Sequence, residues 1–365
     1  MAGGSFSNIN IAGIAGCVPP HIVNNREKAK KLGDKTVDRI IDQTGVEQMH
    51  KTLPEQTAGD LGYIAAGRLF EELKIDKKDI GGLVMVTSSP DYIFPGTSYV
   101  LHKRLQMTED CMCMDINLQC SGFVYGMHVC SSLLQNMKQK YLLLVVAEAF
   151  KQDDVMLRDK PDNSLAVLSG DAGTAILLER NEGQGDVDTD LYSDGEGYRM
   201  MIRMGMTRGY GIPNEVTEWS DGKERSIYDP FMDGMNTFGF STRKASEAID
   251  NFMKAHGTTK DDYDVLVLHQ ANKLIVNRII KLLGWDKDKA PLSITKYGNT
   301  SCASIPVTLI DTYGESADTS KKKIIACGFG SGCSWGVVSF EVVPQRIFPM
   351  IVSDDYFKEG ILEPY

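Results

Sequence analysis

The stretch ELKIDKKDIGGLVMVTSS, residues 72–89, reads as a helix end, a polar turn and an apolar strand. The same order recurs in KAHGTTKDDYDVLVLHQA, residues 254–271, at a shift of 182. That shift also lays INLQCSG (116–122) over GNTSCAS (298–304), and YLLLVVAEA (141–149) over KIIACGFGS (323–331). Further on the offset falls to 162, where GTAILLE (173–179) lies over WGVVSFE (335–341). The first copy therefore carries an extra loop near residues 150–170. An internal duplication explains the constant offset, whereas echoes common to any α/β chain would scatter. Strand-like runs alternating with helical patterns indicate an α/β fold with parallel elements. Two such halves pack about a pseudo-twofold axis, so equivalent strand ends converge at the centre. The expected division is 1–180, 181–343 and a C-terminal extension over 344–365.

The 365 residues, 42% hydrophobic and 24% charged, suffice for a large core. A net charge of -10 argues against a generic nucleic-acid binder. The eight cysteines form no CxxC pair, and Cys111 and Cys113 lack a second ligand pair at zinc spacing, so no metal is expected. The N-terminus has no basic, then apolar, leader pattern, and no apolar run reaches the roughly 18 residues of a membrane span. A cytoplasmic protein with reduced thiols, without membrane or nucleic-acid partners, is the expectation.

Four segments bear chemistry. CMCMDINL reads as a buried strand and SGFVYGMHVCSSLLQNM as the helix after it, with Phe123, Val124, Met127, Val129 and Leu133 on its buried face. Cys120 sits at the junction, where the helix N-terminus favours a thiolate nucleophile. A purely structural thiol fits Cys130 better, since it lies inside the helix. In DVLVLHQANKLI, His269 ends a strand and faces a crevice in this class of fold, and Asn272 reads as an N-cap. In YGNTSCASIPVTL, Asn299 lies in a turn before a helix. A neutral Asn amide beside a neutral His can hold the oxygen of a thioester enolate as a carboxylate leaves. CGFGSGCSWG, residues 327–336, lacks a phosphate-loop pattern; as a tight turn beside a crevice it can offer backbone N–H groups to an acyl oxygen.

With those residues placed, DINLQCSGF, LHQAN, GNTSCASIP and GFGSGCSWG resemble, in order and spacing, the β-ketoacyl-acyl-carrier-protein synthase III family of the thiolase-fold superfamily. The match runs from IAGIAGCVPPHIVNN to VVSFEV and takes in TGVEQMH, FPGTSY and GDAGTA. The resemblance implies a thiolase-like five-layered αβαβα sandwich. It implies that Cys120 accepts an acyl group from a thioester, and that His269 and Asn299 promote decarboxylative condensation with a malonyl-carrier thioester. It implies an oxyanion hole from the N–H groups of Cys120 and Ser331, and substrate contacts at Phe94, Phe329 and Asn272. Phe94 matches a residue that reaches the partner subunit's site, so a homodimer is implied. No cofactor beyond the thioester substrates, on coenzyme A or acyl carrier protein, is implied.

The chain departs from the family's coenzyme A site. Arg39 stands at a Trp position, Gln43 and Glu47 at Arg positions, and Leu274 at the docking Arg, preceded by Lys273. Delivery on an acidic acyl carrier protein suits these changes, with Lys273, Arg278 and Lys281 as the basic docking face; an ordinary solvated helix face is the competing reading. The Met-rich stretch 198–213 either lines the acyl channel or fills the core. Three other functions share the motifs. A thiolase would need a second cysteine, and Cys327 is one residue out of register. Acyl transfer to a hydroxyl or amine uses the same trio. A non-catalytic partner-binding subunit usually loses the nucleophile.

Overall fold

The computed structural model describes residues 2–28, 34–150, 167–203, 215–218, 224–226 and 229–360. Most of the extra loop and most of the Met-rich stretch fall outside them.

The repeat in the sequence is a repeat in space. Strand Ile80–Val86 ends 182 residues before Val265–Leu268 ends, and Tyr141–Glu148 ends 182 residues before Lys322–Gly330 does. Helices Gly122–Leu134 and Ser304–Tyr313 start 182 apart, while strands Ala172–Arg180 and Ser334–Val342 are 162 apart at both ends. In the first sheet, Ile80–Val86 pairs parallel with Tyr141–Glu148, then Ala172–Arg180 and Ile9–Val18 follow antiparallel. The second sheet repeats that pattern with Val265–Leu268, Lys322–Gly330, Ser334–Val342 and Asp186–Ser193.

Three cores separate five layers. Strand Ile80–Val86 is buried on both faces, as a central parallel strand must be. Its alternate residues divide accordingly. Val84 and Val86 join Phe123, Val124, Met127, Ile305 and Leu309 in the core between the sheets, with Ala326 and Phe340 from the opposite sheet. Leu83 and Met85 face the other way, onto Ala65 and Leu69 of helix Ala58–Leu73. On the far side of the second sheet, Leu266, Ile325 and Val337 pack on Ile249 and Phe252 of helix Gly234–Ala255 and on Ile279 of helix Lys273–Leu283. Each such Leu, Ile, Val or Phe contributes roughly 1.5–3 kcal/mol on burial. This is the αβαβα sandwich, with the two inner helices enclosed by both sheets.

Two sequence expectations need correction. Strand Met112–Ile116 is half-exposed, because it forms the edge of the first sheet and has a neighbour on one side only. On the helix after it, Cys130 and Leu134 are buried, whereas Val129 and Leu133 are partly exposed, since the helix is gripped by both sheets and turns a different stripe inward.

The sheets also exchange terminal strands. Ala2–Ser7 joins the second sheet beside Asp186–Ser193. At the other end of the chain, Ile351–Val352 pairs parallel with Cys17 and Val18 of the first. Beyond it the extension lies on the first half. Gln56 Nε2 donates to the carbonyls of Ser353 (2.9 Å) and Asp355 (3.1 Å). The Phe357 N–H donates to Asp60 (2.8 Å), the Arg104 guanidinium lies 4.7 Å from the Phe357 ring, and Tyr92 Oη donates to the Gly360 carbonyl (2.5 Å).

Candidate active site

Cys120 sits between strand Met112–Ile116 and helix Gly122–Leu134, two residues before the helix begins. The glycine-rich strand Lys322–Gly330 passes directly over it. A Cβ on Gly330 would lie 2.5 Å from the Cβ of Cys120, so only glycine leaves the thiol its space. Crowding of this kind has an electrostatic cost. Burial pushes the Cys120 thiol up to about 12, the Glu148 charge adds to this, and the Ser301 side chain opposes it. Burial thus works against the thiolate that the helix N-terminus favours.

His269 follows strand Val265–Leu268 and is 1% exposed. Burial drives its imidazole down to about 3, against a hydrogen bond to the Ser301 backbone, so the ring is neutral. Nδ1 lies 2.7 Å from Ser304 Oγ, and the edge of the ring meets the Phe329 ring with centroids 5.3 Å apart. Phe329, itself 1% exposed, thus holds the histidine, as a buried side chain packed on the ring.

Asn299 is tied at every polar group. Its N–H donates to the Leu168 carbonyl (2.7 Å), and its carbonyl accepts from Gly170 N (3.0 Å). Its side chain donates to the Ala271 carbonyl (3.3 Å) and accepts from Ser301 N (2.8 Å). Gly170 must be glycine, since a Cβ there would overlap the Tyr297 carbonyl. The next residue, Asp171, is anchored by Lys51 Nζ (3.2 Å), Thr52 Oγ1 (3.0 Å) and the N–H groups of Thr52 and Phe150.

Cys120, His269 and Asn299, which come from three separate segments, meet at Ser301. This residue holds a left-handed backbone, φ 52°, that lets one residue face all three. Its N–H donates to the Asn299 amide (2.8 Å), while its side chain lies close enough to the thiol, and its backbone close enough to the imidazole, to shift their titration. Its hydroxyl also donates to Glu148 (3.4 Å). Sequence reasoning passed over both Ser301 and Glu148; the signal for the latter was a carboxylate closing an otherwise apolar strand.

The other expected positions are spread more widely. Asn272 caps helix Lys273–Leu283, its Oδ1 accepting from Ile275 N (2.8 Å), which leaves that oxygen engaged. Phe94 is 84% exposed on the loop before helix Thr97–Arg104. Ser331 follows strand Lys322–Gly330, and its carbonyl accepts from Ser334 Oγ (2.8 Å), which is 2.6 Å from Ser121 Oγ beside the nucleophile. Lys273, Arg278 and Lys281 are exposed on one helix, alongside the exposed Leu274 and Leu282. Cys327 is fully buried within its strand, and burial pushes its thiol far up. Among the described residues no helix is long and apolar enough to cross a membrane.

Comparison with known proteins now decides the family. Residues 114–195 match the model "3-Oxoacyl-[acyl-carrier-protein (ACP)] synthase III", and residues 253–342 match the model of that protein's C-terminal part. β-Ketoacyl-[acyl-carrier-protein] synthase III of Alkalilimnicola ehrlichii is 30% identical over 336 residues, 91% of this chain and 98% of that one. The chain belongs to the β-ketoacyl-acyl-carrier-protein synthase III family. Its synthase III relative from Clostridium beijerinckii is also 30% identical, over 92% of this chain and 100% of that one. The solved 3-oxoacyl-(acyl-carrier protein) synthase of Burkholderia xenovorans superposes with a TM-score of 0.86 at 28% identity, covering 96% and 99% of the two chains. Within this synthase III chain the departures noted in the sequence cluster in space. Arg39, Gln43 and Glu47 are exposed on or just after helix Asp34–Thr44. At Gly45, between them, a Cβ would lie 2.6 Å from the Cβ of Lys273, so this segment borders the basic helix that carries Leu274.

Proposed function

We propose that Cys120, His269 and Asn299 carry out the synthase III reaction in this chain. Cys120 attacks an acyl thioester and becomes acylated, and the donor leaves as a thiol. A malonyl-carrier thioester then binds and loses carbon dioxide, and its enolate oxygen is held by the imidazole N–H and the Asn299 amide. The enolate carbon attacks the acyl-cysteine, giving a 3-oxoacyl thioester and free Cys120. The N–H groups of Cys120 and Ser331 hold the acyl oxygen. The observation that carries this reading is the convergence of the three side chains on Ser301, with the imidazole neutral and therefore able to donate without being charged.

The acyl group arrives on an acyl carrier protein docked at Lys273, Arg278 and Lys281. The loss of the family's coenzyme A residues beside this helix supports that route. The chain works as a cytoplasmic homodimer, with Phe94 reaching the partner's site and no cofactor beyond its thioester substrates. Its eight free thiols and the exposure of Ile93 and Phe94 support this. Intact-protein mass after incubation with a panel of acyl-carrier and acyl-coenzyme A thioesters tests the reading. A Cys120-dependent acyl adduct, converted to a 3-oxoacyl product on adding malonyl-carrier protein, is expected. No adduct with any donor would overturn it.

A further inference from the structure

The reaction needs a group that takes the proton of Cys120, and His269 is poorly placed for it. Ser304 Oγ accepts from Gln270 N (3.4 Å), so its own hydrogen is free to point at Nδ1 of His269, 2.7 Å away. That occupies the lone pair of Nδ1. The other nitrogen then carries the ring hydrogen, and the nearby Ser301 backbone favours that hydrogen. In this tautomer the ring presents a hydrogen and no lone pair. A donor suits an enolate oxygen and does not suit a thiol proton.

The group on the other side of the thiol is Glu148. It closes strand Tyr141–Glu148, is 0% exposed, and every recorded partner donates to it. Oε1 accepts from Ser88 N (3.1 Å), Ser88 Oγ (2.9 Å), Ser301 Oγ (3.4 Å) and Cys302 Sγ (3.4 Å), and Oε2 accepts from Ser89 Oγ (2.7 Å). Ser88 Oγ in turn accepts from Gln119 Nε2 (3.3 Å), the residue before the nucleophile. The Ser88 N–H can only donate, and an ionised carboxylate can accept from all five partners. The repeat sharpens the contrast: 182 residues on, the position of Glu148 is Gly330, the glycine that clears space for Cys120.

We propose that Glu148, acting through the Ser301 hydroxyl, receives the Cys120 proton during acylation, while His269 serves only the condensation. As Sγ attacks the thioester carbonyl, the S–C bond forms, the thiol proton passes to Ser301 Oγ, and the Ser301 proton passes to Glu148. When the tetrahedral adduct collapses, the bond from carbon to the donor sulfur breaks, and the proton returns along the same path to the departing thiolate. The relay is net neutral. Apolar burial, which raises Glu148 above the ordinary carboxylate range, makes it a better base.

The pH dependence of acylation isolates the group. His269 titrates near 3 and Cys120 near 12, both outside the working range. The other titratable group facing Glu148 is Cys302, pushed well above its usual value, and Asp171 with its partner Lys51 lies beyond the Phe150 N–H. A rise in acylation rate above the usual carboxylate range therefore reports Glu148.

The inference rests on the proposed function, and the experiment separates the two. Single-turnover acylation of Cys120 by an acyl-carrier thioester is followed by intact mass from pH 5 to 9 in the wild type, Glu148→Gln and Ser301→Gly. Glycine suits the left-handed backbone at 301, so the second variant decides if the first does not fold. Decarboxylation of malonyl-carrier protein by enzyme acylated beforehand is measured in parallel. We expect acylation to slow about 100-fold in both variants, the general-base range, with the acid limb lost and decarboxylation changed less than about threefold. An unchanged acid limb in a folded variant, or equal losses in the two half-reactions, overturns the relay. Wild-type protein that never acquires an acyl group at Cys120 overturns the proposed function, and the relay with it.

Discussion

Ser304 Oγ lies 2.7 Å from Nδ1 of His269, at the first turn of inner helix Ser304–Tyr313. In the division of labour proposed above, that hydroxyl donates to Nδ1 and leaves the ring hydrogen on Nε2. Ser304→Ala is expected to lower decarboxylation about tenfold, equivalent to about 1.4 kcal/mol, and to leave acylation of Cys120 within about twofold. Carbon dioxide release from malonyl-carrier protein, against acyl adduct formation, measures the split. Equal effects on both would mean that Ser304 supports the fold and not the tautomer.

The trio divides between the two half-reactions. Cys120→Ser should give no acyl-enzyme and no product. His269→Ala and Asn299→Ala should each still acylate but lose decarboxylation by roughly a hundredfold or more, the scale of removing one oxyanion donor. Either alanine variant condensing at the wild-type rate would show the roles to be misassigned.

The resting thiol should titrate late. A thiol near 12 has a thiolate fraction that rises tenfold per pH unit below that value, so alkylation of Cys120 by iodoacetamide should climb steadily from pH 7 to 9.5. A plateau beginning near pH 7 would mean that the helix terminus wins over burial after all.

Gly330 is a steric requirement. Gly330→Ala places a methyl 2.5 Å from the Cβ of Cys120, a contact that forces either the strand or the nucleophile to move. We expect about 1–3 kcal/mol of destabilisation by overpacking and loss of most acylation, read by chemical denaturation and intact mass. Wild-type acylation in this variant would show that the strand can yield.

The basic helix should matter for one donor type. Lys273→Glu combined with Lys281→Glu is expected to raise KM for acyl-carrier protein about tenfold at low salt, less at high salt, with acyl-coenzyme A little affected. Steady-state kinetics with both donors decides it; equal changes would place docking elsewhere.

What was legible in the sequence was whatever repeats or alternates. The 182 shift predicted coincident strand ends at Val86 and Leu268 and coincident helix starts at Gly122 and Ser304, because a duplicated backbone keeps its frame. Cys120 and His269 were visible because each ends or follows an apolar run, and Asn299 because it lies in a turn before a helix. Ser301 was not, since nothing in its identity announces a left-handed backbone, and its value lies in what three distant segments bring to it. The burial that opposes a Cys120 thiolate was hidden for a related reason. A helix start is local and readable, whereas desolvation depends on a strand two hundred residues away. The edge position of Met112–Ile116 likewise depends on which strands fail to pair with it.

The exchange of terminal strands has a consequence for how the molecule comes into being. Ala2–Ser7 can find its place only once Asp186–Ser193 exists, and the Cys17–Val18 edge of the first sheet is covered only by Ile351–Val352. Neither sheet can therefore be finished from its own half of the sequence. Each half borrows a strand from the other, so a cut between them would leave both sheets with a bare edge.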